Sequence, residues 1–320
     1  MTIHGDPEVL RDGYCHDGAL RQVENGETYE GRTGLTLTQI NSRTQRKLAT
    51  DNLEPTVTIV IPAKNEALNL PHVFADLPRD LHEVILVDGG STDDTVEVAR
   101  QLWPTITIIG QTRRGKGNAL ACGFEEASGD FIVMLDADGS TDPAEIPLFV
   151  DALKQGADFA KGSRFMSGAG SSDISRFRRM GNFFLNKVVN LLYGTRYTDL
   201  CYGYNAFRRE CLSVIELDGG EVEGVDERTM LWGDGFEVET LINVRIAKAG
   251  LKVAEVPSFE RCRFFGTSNL NAISDGIRVL RTIHAERKRG ARQDAIRSSA
   301  SEREAGISWS LLSTLTEEAC

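Results

Sequence analysis

Between residues 56 and 135, four short β-branched and apolar runs, 56–61, 83–87, 105–109 and 131–135, alternate with stretches of helical periodicity. Strands this short, with nearly continuous apolar character, belong to a sheet covered on both faces, and alternation with helices makes that sheet parallel. The pattern continues with helices over 92–102, 116–127 and 143–154 and a fifth strand at 157–161. The fold class is α/β, a mostly parallel central sheet flanked by helices. Such a sheet gathers the C-terminal ends of its strands on one edge, where ligands bind in the crevice.

The residues just past each strand suit that edge. The run 131–135 ends in Asp136, Ala137 and Asp138, and then in Gly139, Ser140 and Thr141, which force a turn. Two carboxylates so placed can share one hard cation, Mg²⁺ or Mn²⁺, that bridges to a substrate phosphate. An acidic turn with no ligand accounts for the same residues. After 56–61, Pro62 fixes the exit of the chain, and Asn65 and Glu66 offer hydrogen-bonding groups to a base or ribose. Helix capping is the competing reading for both. Asp88, before Gly89-Gly90-Ser91, can accept from a nucleobase or sugar hydroxyl, while Ser91 with Asp94 forms a capping box for the helix over 92–102. Arg113, Arg114, Gly115, Lys116 and Gly117 open the next helix and read as an anion site or as a solvated charge cluster. No Walker A pattern is present, so ATP hydrolysis of that class is unsupported.

Composition narrows the function further. The 320 residues carry a formal net charge of −11, which argues against a general nucleic-acid binder. The six Cys form no CxxC pair and no zinc spacing, consistent with reduced packing thiols in the cytosol. No basic-then-apolar leader and no uncharged apolar run of 18 residues is found. The expectation is a cytoplasmic protein, soluble or peripheral on the inner face of a membrane. Residues 172–193 read as an amphipathic helix broken near Gly181, with Phe177, Met180, Phe183, Phe184, Val188, Val189, Leu191 and Leu192 beside Arg176, Arg178, Arg179 and Lys187. That pairing suits an anionic membrane surface and equally an ordinary core helix. A further helix is expected over 236–248, a strand over 252–256 and a long helix over 269–289. Residues 1–54 read as an N-terminal extension, 55–260 as the main domain and 261–320 as a helical segment and tail.

In order along the chain, IVIPAKNE, VILVDGGSTDDT, RRGKGNAL, GDFIVMLDADGSTDP, FAKGSRF and TDLCYGYNAFRR resemble the family 2 glycosyltransferases of GT-A fold. Within that family they are similar to the dolichyl- and polyprenyl-phosphate mannose and glucose synthases. The resemblance implies that Pro62, Asn65, Glu66 and Asp88 line a nucleoside pocket and that Lys116 and Asp136 complete nucleotide recognition. It implies that Asp138, with Asp136 nearby, holds Mg²⁺ or Mn²⁺ on the diphosphate of a nucleotide-sugar donor. Arg164 and Asp199 match positions near sugar and acceptor. This chain has Asp88-Gly89-Gly90-Ser91 where the family often has Asp-Asp-Gly-Ser. The implied reaction is inverting displacement of a hexose from a GDP-mannose or UDP-glucose type of donor to polyprenyl phosphate, an acceptor already anionic that needs cations such as Arg164, Arg176, Arg178 and Arg179. A hydroxyl on a soluble metabolite or glycan is the alternative acceptor, and it needs a carboxylate base. Glu237, then Glu239, in GDGFEVET are the candidates. A non-catalytic protein that only binds nucleotide sugars is the third reading.

Overall fold

The computed structural model describes residues 54–267, 274 and 276–289. The N-terminal extension up to residue 53, the start of the helix expected at 269–289 and the tail from Gly290 lie outside the described residues. In chain order the elements are β1 (Val57–Ala63), α1 (Leu70–Ala75), β2 (Glu83–Asp88), α2 (Thr95–Leu102), β3 (Thr107–Gly110), α3 (Lys116–Glu126) and β4 (Phe131–Met134). A 3-10 turn at Pro143–Glu145 leads into α4 (Ile146–Lys154), β5 (Phe159–Ser163), β6 (Gly170–Ser171), α5 (Arg176–Tyr193) and β7 (Asn205–Arg208). Then come α6 (Leu212–Ile215), α7 (Val238–Lys248), β8 (Val253–Pro257), β9 (Phe259–Glu260) and a further helix, α8, over 276–289.

Seven strands form the central sheet in the order β3-β2-β1-β4-β7-β5-β8. All are parallel to their neighbours except β7, which runs antiparallel between β4 and β5. β7 falls within TDLCYGYNAFRR, where the sequence carries no strand signal, since four residues are too few for a period-two pattern. The continuous apolar runs have the expected cause. Ile59 and Ile61 pack with Leu70, Phe74 and Phe149 of α1 and α4 on one face. Val60, between them, packs with Leu120, Phe124 and Ile242 of α3 and α7 on the other. Fully burying each such side chain stabilises the fold by roughly 1.5–3 kcal/mol.

The helix α5 is uninterrupted: Ser175 caps it, accepting from the Arg178 amide at 3.2 Å, and Gly194 ends it at φ 68°. Its buried face takes only part of the expected apolar set, Val189 with the partly buried Val188 and Leu192. Asn182, Asn186 and Asn190, each four residues apart, turn inward with Leu185 and Val189. Asn186 accepts from the Leu200 amide (2.7 Å) and donates to the Thr198 carbonyl, and Asn190 donates to the Tyr197 carbonyl (2.9 Å). This asparagine ladder satisfies the 197–201 backbone, so Phe177, Met180, Phe183, Phe184 and Leu191 are left exposed. Among the described residues no helix is long and apolar enough to cross a membrane.

Candidate active site

Parallel register builds the edge. Ala63 pairs with Asp88 and Asp88 with Gly110, while Val60 pairs with Met134, the residue two before Asp136. The strand β1 runs through Pro62 instead of stopping there. The Val60 carbonyl accepts from Leu135 on the β4 side, and by period two Pro62 faces the same side, where β4 pairing has ended. Its missing N–H is therefore not needed by the ladder.

Asn65, in the left-handed region at φ 56°, joins two loops. Its Oδ1 accepts from the Thr92 amide (2.7 Å), and its own amide donates to Ser91 Oγ (3.0 Å). Both capping expectations need correction. Asn69, not Asn65, flanks the start of α1, and Ser91 is engaged with Asn65, leaving Asp93 to accept from the Thr95 amide at the start of α2 (3.1 Å). Asp88 accepts from the amides of Gly90 and Ser91, both at 3.2 Å, which shapes its own loop.

The expected anion site at the start of α3 is also corrected. A Cβ on Gly115 would lie 2.0 Å from the Asp234 carbonyl oxygen, and one on Gly117 would lie 1.9 Å from that of Gly233. These glycines exist for close backbone approach, and the helix N-terminus is covered by the 229–235 loop. Arg113 is buried, with two donors on the Asp234 carboxylate (3.0 and 3.1 Å) and another on the Asp218 carbonyl (2.7 Å). Lys116 instead meets Asp136 (2.7 Å) and Glu239 (2.9 Å). Burial pulls the Lys116 pKa down, but the two carboxylates outweigh it and keep the ammonium charged. Burial pushes the Glu239 pKa up, partly offset by Lys116.

Asp138 faces a different cation. Its Oδ1 accepts from the Ser140 amide (2.9 Å), and its Oδ2 lies 3.1 Å from the Arg263 guanidinium, which also reaches Glu66 at 3.0 Å. Burial raises the Glu66 pKa, opposed by Asn69 and Arg263. Asp136 and Asp138 thus meet two separate partners rather than sharing one. Among the described residues no three His, Cys, Asp or Glu side chains converge on a point. The donor set still fits Mg²⁺ or Mn²⁺, which use one or two carboxylates and complete their shell with phosphate and water oxygens. A guanidinium already seated on Asp138 shows that this carboxylate accepts a cation.

Arg164 is not a free cation for an acceptor. It forms a buried bidentate pair with Asp199 (2.7 and 2.9 Å), reaches both oxygens of Glu260 (3.0 Å each) and lies over the Tyr202 ring at 4.7 Å. Those carboxylates hold its charge firmly against the burial that opposes it. It joins β5, the 199–202 loop and β9 as a positioning residue. Glu237 is buried at the start of α7; its Oε1 accepts from the Gly233 amide (3.1 Å), while its Oε2 has no hydrogen-bond partner among the described residues. It does not reach Lys116; Glu239 does. No motif in the sequence singles out Arg263. A signal existed: β8 is parallel to β5, so its exit delivers RCRFF to the same edge.

Comparison with known proteins agrees with this layout. Residues 58–215 match the model of glycosyl transferase family 2. The chain is 31% identical over 223 residues to the glycosyltransferase AglJ of Haloferax volcanii, covering 69% of this chain and 68% of that one. It is 30% identical over 210 residues to an undecaprenyl-phosphate mannosyltransferase of Micrococcus luteus, covering 63% and 82%. In fold it is similar to glucosyl-3-phosphoglycerate synthase of Mycobacterium tuberculosis, solved with phosphoglyceric acid, at a TM-score of 0.56 and 22% identity over 80% of this chain and 85% of that one. With strand order, edge chemistry and these matches in accord, the chain belongs to the family 2 glycosyltransferases and has their GT-A fold.

Proposed function

We propose that this inverting, nucleotide-sugar-dependent glycosyltransferase delivers a hexose to a hydroxyl group of a soluble metabolite or glycan. The observation that carries the acceptor is the buried Glu237 carboxylate with one unpartnered oxygen, set against an Arg164 already engaged by carboxylates. A neutral hydroxyl needs a base, whereas an acceptor phosphate needs free cations. Glu237 takes the acceptor proton as the oxygen attacks the anomeric carbon in line with the leaving diphosphate. Pro62, Asn65, Glu66 and Asp88 line the nucleoside side, and Lys116 with Asp136 completes nucleotide recognition. A divalent ion held by Asp138, with Asp136 beside it, would supply charge neutralisation of the departing diphosphate. The fold neighbour has also been solved with Mn²⁺ and UDP-glucose, which supports this cofactor and donor class.

Turnover of labelled UDP- and GDP-hexoses against a panel of small hydroxyl acceptors tests the proposal. Glu237→Gln is expected to lower kcat at least a hundredfold with nucleotide affinity unchanged. A mutant as active as the wild type removes the base and the hydroxyl reading with it.

A second reading, transfer to polyprenyl phosphate by a protein peripheral on the cytoplasmic face of a membrane, is favoured by α5. Phe177, Met180, Phe183, Phe184 and Leu191 are 58–85% exposed there. Arg176, Arg178, Arg179 and Lys187 accompany them with no acidic residue in the helix, although the chain as a whole is acidic. A basic and apolar face of this kind suits anionic lipid. The undecaprenyl-phosphate mannosyltransferase relative points the same way. Product formed with short-chain polyprenyl phosphate in anionic vesicles, and none with soluble acceptors, would put this reading first.

A further inference from the structure

The segment after β9 lies on the acidic turn. The Arg261 amide donates to the Ser140 carbonyl (2.8 Å) and the Phe264 amide to that of Asp138 (3.4 Å). Phe264 stacks on His72 with ring centroids 4.4 Å apart. Gly139, at φ 78°, leaves room for this: a Cβ there would stand 2.4 Å from the Phe264 ring. Phe265 exchanges two hydrogen bonds with Asn69, at 2.9 and 3.2 Å, and Asn69 also donates to Glu66. At the centre of these contacts Arg263 bridges Asp138 (3.1 Å) and Glu66 (3.0 and 3.2 Å), while its Nε is buried with no hydrogen-bond partner among the described residues.

We infer that Arg263 is an internal cation that occupies the seat of the divalent metal at Asp138, so that metal and nucleotide bind cooperatively. The inference rests on the reading of Asp138 as the metal-holding carboxylate. One guanidinium closes off both a carboxylate assigned to the metal and one assigned to the nucleoside. Neither ligand gains both oxygens of its carboxylate without moving Arg263, and whichever moves it frees the other carboxylate. A diphosphate is the ligand group that competes for a guanidinium, since Arg pairs bidentately with phosphate as it does with carboxylate. Two ligands that each favour the same open state raise one another's affinity by the same factor. The two Phe rings of the Arg263 loop are about half exposed, so opening it uncovers little further apolar surface, while its ties to the buried Asn69 and Glu66 are polar and can be exchanged for ligand and water.

Calorimetric titration with Mn²⁺, in the presence and absence of UDP or GDP, tests the inference on the wild type, Arg263→Gln, Phe264→Ala and Asp138→Ala. Arg263→Gln is expected to bind Mn²⁺ without nucleotide at least tenfold more tightly than the wild type. UDP or GDP is expected to tighten Mn²⁺ binding tenfold or more in the wild type and less than threefold in Arg263→Gln. Phe264→Ala, which loosens the loop and keeps the charge, moves in the same direction and serves as the readout if Arg263→Gln does not fold. Arg263→Gln binding Mn²⁺ no more tightly than the wild type, with Asp138→Ala abolishing binding, overturns the latch and leaves the metal site standing. Unchanged Mn²⁺ binding in Asp138→Ala overturns both.

Discussion

Lys161 is fully buried in β5, with the Tyr202 carbonyl at 3.4 Å as its one hydrogen-bond partner among the described residues. Burial lowers its pKa, opposed by Asp199 and Glu255. A lysine whose folded pKa lies below its unfolded value of about 10.4 destabilises the fold fully at pH below the folded pKa, and the penalty disappears as pH rises past the unfolded one. Lys161→Met is therefore expected to raise stability at pH 7 by roughly 1 kcal/mol or more, and the gain should shrink toward pH 10; urea titrations across that range check it. No pattern around Lys161 announces its burial. Glu239 is a different residue-scale case, since it was legible as a carboxylate near the start of a helix but not as the partner of Lys116. In the proposed function Asp136 turns to the nucleotide, and Glu239 would then remain as the counter-ion that keeps Lys116 placed and charged. Glu239→Gln is expected to weaken nucleotide binding about tenfold, or about 1.4 kcal/mol, in a UDP and GDP titration. Unaltered affinity would remove Glu239 from that role.

At the scale of elements, the start of α3 shows how a correct motif acquires a wrong local meaning. Arg113, Gly115 and Gly117 have the composition of an anion nest, yet they receive the 229–235 loop, more than a hundred residues later in the chain. The contact cannot be read from either segment alone. Gly117→Ala places a methyl against the Gly233 carbonyl and should cost about 1–3 kcal/mol, seen as a melting temperature several degrees lower. Because the displaced loop also orders Glu237 through the Gly233 amide, turnover should fall along with stability. The helix α5 carries a second lesson. Its period was legible, but the sequence could not say that the helix runs unbroken through Gly181 or that Asn182, Asn186 and Asn190 bond the 197–201 backbone. Ser175→Ala is expected to destabilise the helix N-terminus by about 1 kcal/mol, measured by hydrogen exchange in its first turn.

For the molecule as a whole, the fold stands on two apolar layers that sandwich the sheet, and neither layer needs a metal. Chelation by EDTA is thus expected to leave the melting temperature unchanged while suppressing turnover, with Mn²⁺ restoring it; a large fall in melting temperature would indicate a structural ion instead. The existence and chain order of the first four parallel strands come from runs of five or six apolar and β-branched residues; β1, β2 and β4 are buried on both faces and have no polar face to display, whereas β3, at the sheet edge, is only half-buried. Those runs also fix which residues stand at the ligand edge, since parallel strands end on one side: Pro62, Asp88 and Asp136 are placed by that rule. The groups across the crevice from them are set by segments that arrive from far along the chain. Only tertiary packing could pair Lys116 with Glu239, Arg164 with Asp199 and Glu260, and Arg263 with Asp138 and Glu66, because the partner of a charge depends on distance in space, and sequence carries that distance only within an element.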